Sequence, residues 1–187
     1  MKTHIDADTE LFSAADKMRC QITIDLMKLY FEPQVFRAPW LDAGAGASYM
    51  RGLLKESFGI EPQSVENDLD VDPYPFADNS FNLVTSFELL EHLYNPLFNL
   101  MEIHRILRPD GRYIMTTPND HGLIYKVEHL LGRKYDVHFH QFAEGDIQKI
   151  FARAGLKILS LRKFRGRRAG TIARISRNQF LVEAVKA

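Results

Sequence analysis

Cysteine and long apolar runs are scarce in this sequence. Its 187 residues include one cysteine, Cys20, and one tryptophan. A single cysteine excludes an intramolecular disulfide and a metal cage built from several thiolates. No run approaches the roughly 20 apolar residues of a membrane-spanning helix, and the acidic N-terminus does not have the basic and then apolar pattern of a secretory signal. We therefore expect a cytoplasmic protein with no membrane span.

Net charge is also absent, because 24 Lys and Arg residues balance 24 Asp and Glu residues. This balance argues against a general nucleic-acid or membrane-surface binder. The charges are nevertheless segregated: no Lys or Arg occurs from Glu56 to His104, whereas seven occur from Leu161 to Arg177 without any acid. The basic segment, residues 161–177, predicts either a solvated hairpin face or a contact with an anionic or phosphate-bearing acceptor.

The composition is that of an ordinary globular protein, with 45% hydrophobic and 26% charged residues. A chain of this length typically forms one domain whose core needs no cross-links. We expect a single domain over residues 1–187. Its parts are an N-terminal helical cap at 1–34, a ligand-binding half at 35–118, and a loop, helix and C-terminal hairpin at 119–187. The sequence does not indicate an oligomeric state.

Hydrophobic spacing predicts strands that alternate with helices. The elements of the first half are an amphipathic helix within the first thirty residues, a buried strand at Val35–Ala43, a helix from Ala47 to about Ser57, short strands at 58–60 and 64–65, and a strand at 81–86. In the second half they are a helix from Asn95-Pro96 to Pro109-Asp110-Gly111, a strand at 112–117, a helix ending at Gly155, and strands at 156–161 and 179–185.

This alternation predicts a doubly wound α/β fold, in which a mostly parallel sheet carries helices on both faces. The last two strands have no helix between them, which predicts an antiparallel strand at the C-terminal edge of the sheet. A loop-rich stretch from Pro118 to Phe142 separates the two halves.

Gly44 and Gly46 lie at the turn between the first strand and the helix after it. Glycine lets the backbone approach a ligand there, and the helix that follows offers free N–H groups. The dinucleotide-binding fingerprint requires a third glycine where this chain has Tyr49, which argues against a pyrophosphate. The turn therefore predicts a nucleotide-like cofactor, with a purely structural turn as the alternative.

Three acids follow the predicted strands of this half. Asp42 ends the first strand and is suited to a cation or an amine, or to capping the turn. Glu61 follows the second predicted strand, where an acid typically accepts hydrogen bonds from ribose hydroxyls. The Asp68 carboxylate is suited to accept a hydrogen bond from an exocyclic amine, and a backbone N–H at Asp68-Leu69 is suited to donate to a ring nitrogen. We expect no basic residue near these acids, which then indicate a ligand with hydroxyls, amines and a positive charge, although each could also be an exposed loop acid.

The same residues resemble the class I S-adenosylmethionine-dependent methyltransferases, specifically the type 11 group with its Rossmann-like fold. Asp42-Ala43-Gly44-Ala45-Gly46 is similar to the family's first motif. The run from Asp72 to Val84 resembles its "LPF-x-D-x-SFD-x-V" signature, with Asn82 in place of the usual Asp, and Glu88-Leu89-Leu90-Glu91-His92 resembles its "LEH". Leu107-Arg108-Pro109-Asp110-Gly111 is similar to its "LRPGG" turn.

The resemblance implies S-adenosyl-L-methionine as the cofactor and S-adenosyl-L-homocysteine as the product. The residues that it implies for the cofactor are Gly44, Ala45 and Gly46 at the methionine end, Glu61 with Glu66 as its rival at the ribose, Asp68 and Leu69 at the adenine, and Ser86 and Phe87 beneath the sulfonium. Asp42, Ala43 and Glu88, in the matching motifs, are also expected to bind the cofactor.

The acceptor side is less well marked. His92 could orient an acceptor or take its proton, with a structural hydrogen bond as the alternative. Asn119, His138 and His140 lie where the family carries a substrate-side loop, and we expect no metal site among the scattered histidines. The sequence thus predicts transfer of a methyl group to a small-molecule O, N or C acceptor by in-line displacement. The alternatives are an inactive S-adenosylmethionine-binding module and an NAD-dependent oxidoreductase.

Overall fold

Strands and helices alternate along the computed structural model, which describes residues 14–44, 49–119, 139–165 and 178–187. The helices are α1 (Ala14–Tyr30), α2 (Tyr49–Phe58), α3 (Pro96–Ile106) and α4 (Glu144–Arg153), with short 3-10 turns at Pro33–Val35 and Leu90–His92. The strands are β1 (Trp40–Asp42), β2 (Gln63–Ser64), β3 (Phe81–Phe87), β4 (Leu107–Pro118), β5 (Leu156–Arg165) and β6 (Asn178–Lys186).

The six strands form one sheet in the order β2-β1-β3-β4-β6-β5. Strands β1 to β4 pair in parallel, and β6 is antiparallel to both β4 and β5. The predicted mostly parallel sheet with an antiparallel C-terminal strand is therefore confirmed. The C-terminal strand lies one position inside the edge, and β5 is outermost.

Both faces of the sheet are covered, because neighbouring residues of the strands pack into different cores. Leu41 and Val84 belong to the core under α3 and α4, whereas Trp40 and Leu83 belong to the core under α1 and α2. Strands buried on both sides read as continuous apolar runs, which explains the 81–86 signal in the sequence.

Helix α3 begins as predicted and ends earlier than predicted. The Asn95 side chain accepts a hydrogen bond from the Phe98 N–H at 3.2 Å, and Pro96 occupies the first helical position. The helix ends at Ile106 because Leu107 is already extended and pairs with Phe81 in the sheet. The predicted stop at Pro109 was wrong by about one turn of helix, since tertiary pairing ended the helix before the proline could.

Two predicted strands are also corrected. The strand expected from Val35 begins only at Trp40, because a 3-10 turn occupies Pro33–Val35. The strand expected at 58–60 is absent: α2 runs through Phe58, and Gly59, at φ +70°, donates its N–H to the Lys55 carbonyl as a helix cap. The strand expected at 64–65 is present one residue earlier, as β2 at Gln63–Ser64.

None of the helices in the described part of the chain combines the length and apolar character that a membrane crossing requires.

Candidate functional site

The carboxyl ends of β1, β2 and β3 meet at one edge of the sheet. Leu41 pairs with Gln63 of β2 and with Val84 of β3, so the three strands run in the same direction and end close together. Ligands of open α/β sheets bind outside the carboxyl ends of parallel strands, where the strand order reverses. Here that reversal lies at β1, which has β2 on one side and β3 on the other.

Asp42 is the last residue of β1 and is 1% exposed. Its carboxyl Oδ1 accepts a hydrogen bond from the Thr85 hydroxyl at 2.7 Å, and the Trp40 indole N–H donates to the same hydroxyl at 3.1 Å. Because an indole N–H can only donate, it directs the Thr85 proton toward the carboxyl. Burial raises the pKa of Asp42 to about 7, against the lowering effects of the Thr85 hydrogen bond and of Arg51.

The turn after β1 requires glycine at its described position. Gly44 has a φ of +81°, a left-handed conformation that side chains other than glycine rarely adopt. A Cβ atom there would come within 2.8 Å of the Leu89 side chain. The preceding Ala43 is buried, and its N–H donates to the Thr85 carbonyl at 2.7 Å. The predicted Ala45 and Gly46 lie outside the described residues.

Glu61 and Glu66 lie on opposite sides of β2. Glu61 precedes the strand, at its amino end, where it is exposed and pairs with Lys55 at 2.7 Å; a hydrogen bond from Lys55 lowers its pKa. The placement of Glu61 at a strand's carboxyl end was wrong, because the strand lies at Gln63–Ser64 rather than at 58–60. Glu66 follows β2 by two residues, at the carboxyl end of the strand, which is the edge of the sheet where Gly44 also lies.

Asp68 and Leu69 lie in a turn further along the same loop. The Asp68 carbonyl accepts the Asp72 N–H at 2.8 Å, and its Oδ1 accepts the Asp70 N–H at 3.0 Å. The Asp68 side chain is exposed, whereas Leu69 packs against the core under α3 and α4. Asn99 of α3 donates to the Leu69 carbonyl at 3.5 Å, which ties the loop to the fold. No strand precedes this loop apart from β2 in the described 49–80 stretch, contrary to the sequence expectation.

At the end of β3 the predicted residues have different surroundings. Ser86 is fully buried, and its hydroxyl lies 2.7 Å from the Tyr113 hydroxyl. Phe87 is partly buried against the core under α1 and α2. Glu88 follows with a φ of +52°, and its N–H donates to the Thr116 carbonyl at 3.0 Å. Unlike Ser86 and Phe87, Glu88 has a side chain that lies near a charged group, the Arg19 guanidinium.

Three residues around this edge were missed by the sequence analysis. Arg19 of α1 lies 3.5 Å from Glu88 Oε2, and Gln179 of β6 donates to the same oxygen at 2.8 Å. Arg51 of α2 donates to the Ser64 hydroxyl at 2.9 Å and lowers the pKa of Asp42. The expectation that no basic residue lies near the acids was therefore wrong, because α1 places Arg19 beside Glu88 and α2 places Arg51 close enough to Asp42 to lower its pKa. No local motif marks these positions.

His92 and His140 both lie beside the Leu90–His92 turn. His92 is exposed at the end of the Leu90–His92 turn. The His140 N–H donates to the Glu91 carbonyl at 3.2 Å, and its Nε2 lies 3.4 Å from the Tyr94 carbonyl. Asn119 is half-buried just after β4. The predicted His138 lies outside the described residues. Among the described residues, no group of three or more His, Cys, Asp or Glu side chains is placed to hold a metal ion.

The described members of the basic segment make intramolecular contacts. The Arg162 guanidinium lies 4.2 Å from the centre of the Tyr30 ring, and Lys163 pairs with Glu144 at 2.8 Å. Residues 166–177 of the segment lie outside the described part of the chain.

Comparison with known proteins agrees with this architecture. The model of a family described as a methyltransferase domain matches residues 16–161, which is most of the chain. The chain therefore belongs to the methyltransferase-domain family, in keeping with the class I resemblance of its sequence.

Individual relatives are more distant. A ubiquinone/menaquinone biosynthesis C-methyltransferase of Desulfotalea psychrophila is 34% identical over 88 residues, which cover 43% of this chain and 34% of the relative. The chain thus matches about a third of that curated relative's length. A SAM-dependent methyltransferase of Archaeoglobus fulgidus has a TM-score of 0.66 at 14% identity, with 89% of this chain and 94% of that chain covered. An S-adenosylmethionine-dependent methyltransferase of Mesorhizobium loti has a TM-score of 0.65 at 16% identity, with 92% and 100% covered. At these identities, the two structures show a shared fold.

Proposed function

We propose that this chain binds S-adenosyl-L-methionine at the carboxyl edge of β1–β3 and transfers its methyl group to a small-molecule acceptor. The observation that carries the proposal is that the buried Asp42 carboxyl and the left-handed Gly44 lie two residues apart at the end of β1. A buried carboxyl without an ion pair among the described residues is suited to a cationic ligand, and a left-handed glycine leaves room beside it. The proposal treats residues 1–187 as one domain, with its cofactor half at 35–118.

The residues present fit the cofactor's other groups. Glu66 and Asp68 follow β2 at the edge of the sheet where β1, β2 and β3 end, which we call the cleft. There they would accept hydrogen bonds from ribose hydroxyls and from the adenine amine. We assign the ribose role to Glu66 rather than Glu61, because Glu61 lies at the amino end of β2 and already pairs with Lys55. Leu69, half-buried beside them, would offer an apolar surface to the purine.

When bound, the cofactor supplies an activated methyl group on a sulfonium. The task of the protein is then to align the acceptor with that group and to exclude water. Phe87 and Glu88, at the end of β3, are placed to form the wall of the cleft between cofactor and acceptor. A general base is needed only for acceptors of high pKa. The exposed His92 is our candidate for it, and Asn119, His138 and His140 are our candidates for further contacts with the acceptor.

Isothermal titration of the full chain with S-adenosylmethionine and with S-adenosylhomocysteine tests the proposal. We expect both to bind, and Asp68→Ala to weaken both because it removes an acceptor for the adenine amine. Asp110→Ala is the matched control, since Asp110 is an exposed aspartate paired with Arg37 at 2.5 Å, away from the cleft.

Three results would contradict the proposal in different ways. Absent binding of both ligands would reject the cofactor, and tight binding of NADH instead would favour an oxidoreductase. Binding without transfer of a labelled methyl group to any metabolite of a cell extract would indicate a non-catalytic binding module.

A further inference from the structure

Gln179 brings a polar side chain from the C-terminal strand to the cleft. It pairs with Pro118 at the carboxyl end of β4, because the antiparallel β6 begins where the parallel β4 ends. Its side chain reaches Glu88, the residue after β3. The C-terminal strand thus contributes to the same sheet edge as the first half of the chain.

The carboxamide of Gln179 has one defined orientation. Its Nε2 donates to Glu88 Oε2 at 2.8 Å, and Arg19 lies 3.5 Å from the same oxygen, so Oε2 serves as an acceptor and the amide nitrogen faces Glu88. The amide Oε1 then faces away from Glu88. Gln179 is 3% exposed, and no donor among the described residues reaches that oxygen.

A buried amide oxygen without a donor is costly. Leaving such a group unsatisfied costs about 1–3 kcal/mol, and native structures hold few of them. The bond to Glu88 occupies one of the two N–H groups of this amide, and the oxygen has no donor among the described residues. A ligand that brings an N–H or O–H group to the cleft would account for it.

The backbone of Glu88 is held in an unusual conformation at the same point. A φ of +52° is left-handed, which costs a non-glycine residue roughly 1–2 kcal/mol. The hydrogen bond to Thr116 and the side-chain contacts with Gln179 and Arg19 hold it there. Backbone strain of this kind concentrates at ligand-binding positions.

We propose that Gln179 is an acceptor-binding residue whose amide oxygen receives an N–H or O–H group of the methyl acceptor. The acceptor class is then an amine, an alcohol or a phenol that carries such a donor. The inference rests on the proposed function, because it assigns the acceptor to the same cleft. Glu88 acts as the positioning residue that fixes the direction of the amide.

Small probes test the donor requirement before the acceptor is identified. The full chain, labelled with nitrogen-15, is titrated with phenol and benzylamine, and with their donor-free counterparts anisole and benzyltrimethylammonium. The side-chain amide signals of Gln179, identified by their loss in Gln179→Leu, are followed by NMR. The titrations are made on the free protein and on its complex with S-adenosylhomocysteine.

We expect the donor probes to shift the Gln179 signals and to bind about tenfold more tightly than their counterparts, the effect of one buried hydrogen bond. Gln179→Leu should remove this preference, whereas Gln148→Leu, at an exposed position of α4, should keep it. Equal binding of donor and donor-free probes, or no shift with either, overturns the proposal.

Glu88→Gln provides a second variant that keeps the side-chain shape. Its new amide can donate to Gln179 Oε1 once the Gln179 carboxamide rotates, so the donor preference should fall although Gln179 is unchanged. An undiminished preference in Glu88→Gln overturns the orientation argument. Failure of the proposed function is separate, since it appears as absent binding of S-adenosylhomocysteine.

Discussion

We expect Asp42 to make the affinity for S-adenosylmethionine depend on pH. Its pKa is raised to about 7 by burial, so the carboxyl is largely protonated one unit below neutrality and largely ionised one unit above it. A cationic ligand favours the ionised form and lowers this pKa when it binds. Affinity should therefore rise as pH increases through the pKa of the free protein and become constant above it.

The magnitude follows from the ionised fraction. At about one unit below its pKa a carboxyl is roughly one tenth ionised, so affinity for S-adenosylmethionine should be about tenfold weaker there than on the plateau, or about 1.4 kcal/mol. The Thr85 hydroxyl can still donate to an asparagine oxygen, so Asp42→Asn should keep the fold while losing this dependence.

The stability of the free protein gives an independent check. Asp42 binds its proton more tightly in the folded state than the ordinary aspartate pKa allows. Its contribution to stability is therefore present below the unfolded pKa and is lost as pH rises through the folded pKa of about 7. The loss is up to about 4 kcal/mol at high pH, and Asp42→Asn should avoid it.

Isothermal titration between about pH 6 and about pH 8, and urea unfolding between about pH 4 and about pH 8, measure the two effects. The opposite directions are diagnostic: the wild type gains cofactor affinity and loses stability relative to Asp42→Asn as pH rises. The reasoning is refuted if wild-type affinity is constant over this range, or if Asp42→Asn shows the same pH dependence as the wild type.

Three further outcomes are expected. Gly44→Ala should weaken S-adenosylhomocysteine binding in calorimetry and lower the melting temperature, because its Cβ would lie 2.8 Å from Leu89 in a left-handed backbone; an unchanged affinity would place the ligand elsewhere. Glu66→Gln should reduce that affinity about tenfold or more through lost ribose hydrogen bonds, whereas Glu61→Gln should not, and the reverse result would restore the assignment of Glu61. Asn95→Ala should destabilise the fold by about 1 kcal/mol in urea unfolding through loss of the α3 cap, with cofactor affinity retained; no change in stability would show that the cap is dispensable.

The sequence predicted those parts of the fold that depend on local chemistry. The Asn95 cap, the buried strand at 81–86 and the glycine turn at Gly44 each carry their signal within a few residues, and the structure has all three. It failed where pairing over long distances decides the outcome. Helix α3 ends at Ile106 because Leu107 pairs with Phe81 in the sheet, and no local sequence pattern predicts that contact.

The same distinction applies to the site. Asp42 and Gly44 are adjacent in sequence and could be predicted together. The choice between Glu61 and Glu66 depended on locating a strand of two residues, Gln63–Ser64, in a segment that also contains a helix end. A displacement of a few residues moved the acid from one edge of the sheet to the other. Gln179 lies 91 residues from Glu88, so their contact is a property of the sheet order alone.

The arginines at the cleft explain why Asp42 still lacks a cation. Arg51 approaches it but donates to the Ser64 hydroxyl, and Arg19 is shared between Asp16 and Glu88. Each guanidinium therefore has a partner of its own, and no ion pair reaches Asp42 among the described residues. Burial without an ion pair raises the pKa of Asp42 to about 7, and a positive charge brought by a ligand would favour its ionised form. The arrangement favours a ligand with a cationic end at β1, which is the property that a sulfonium cofactor with an ammonium group supplies.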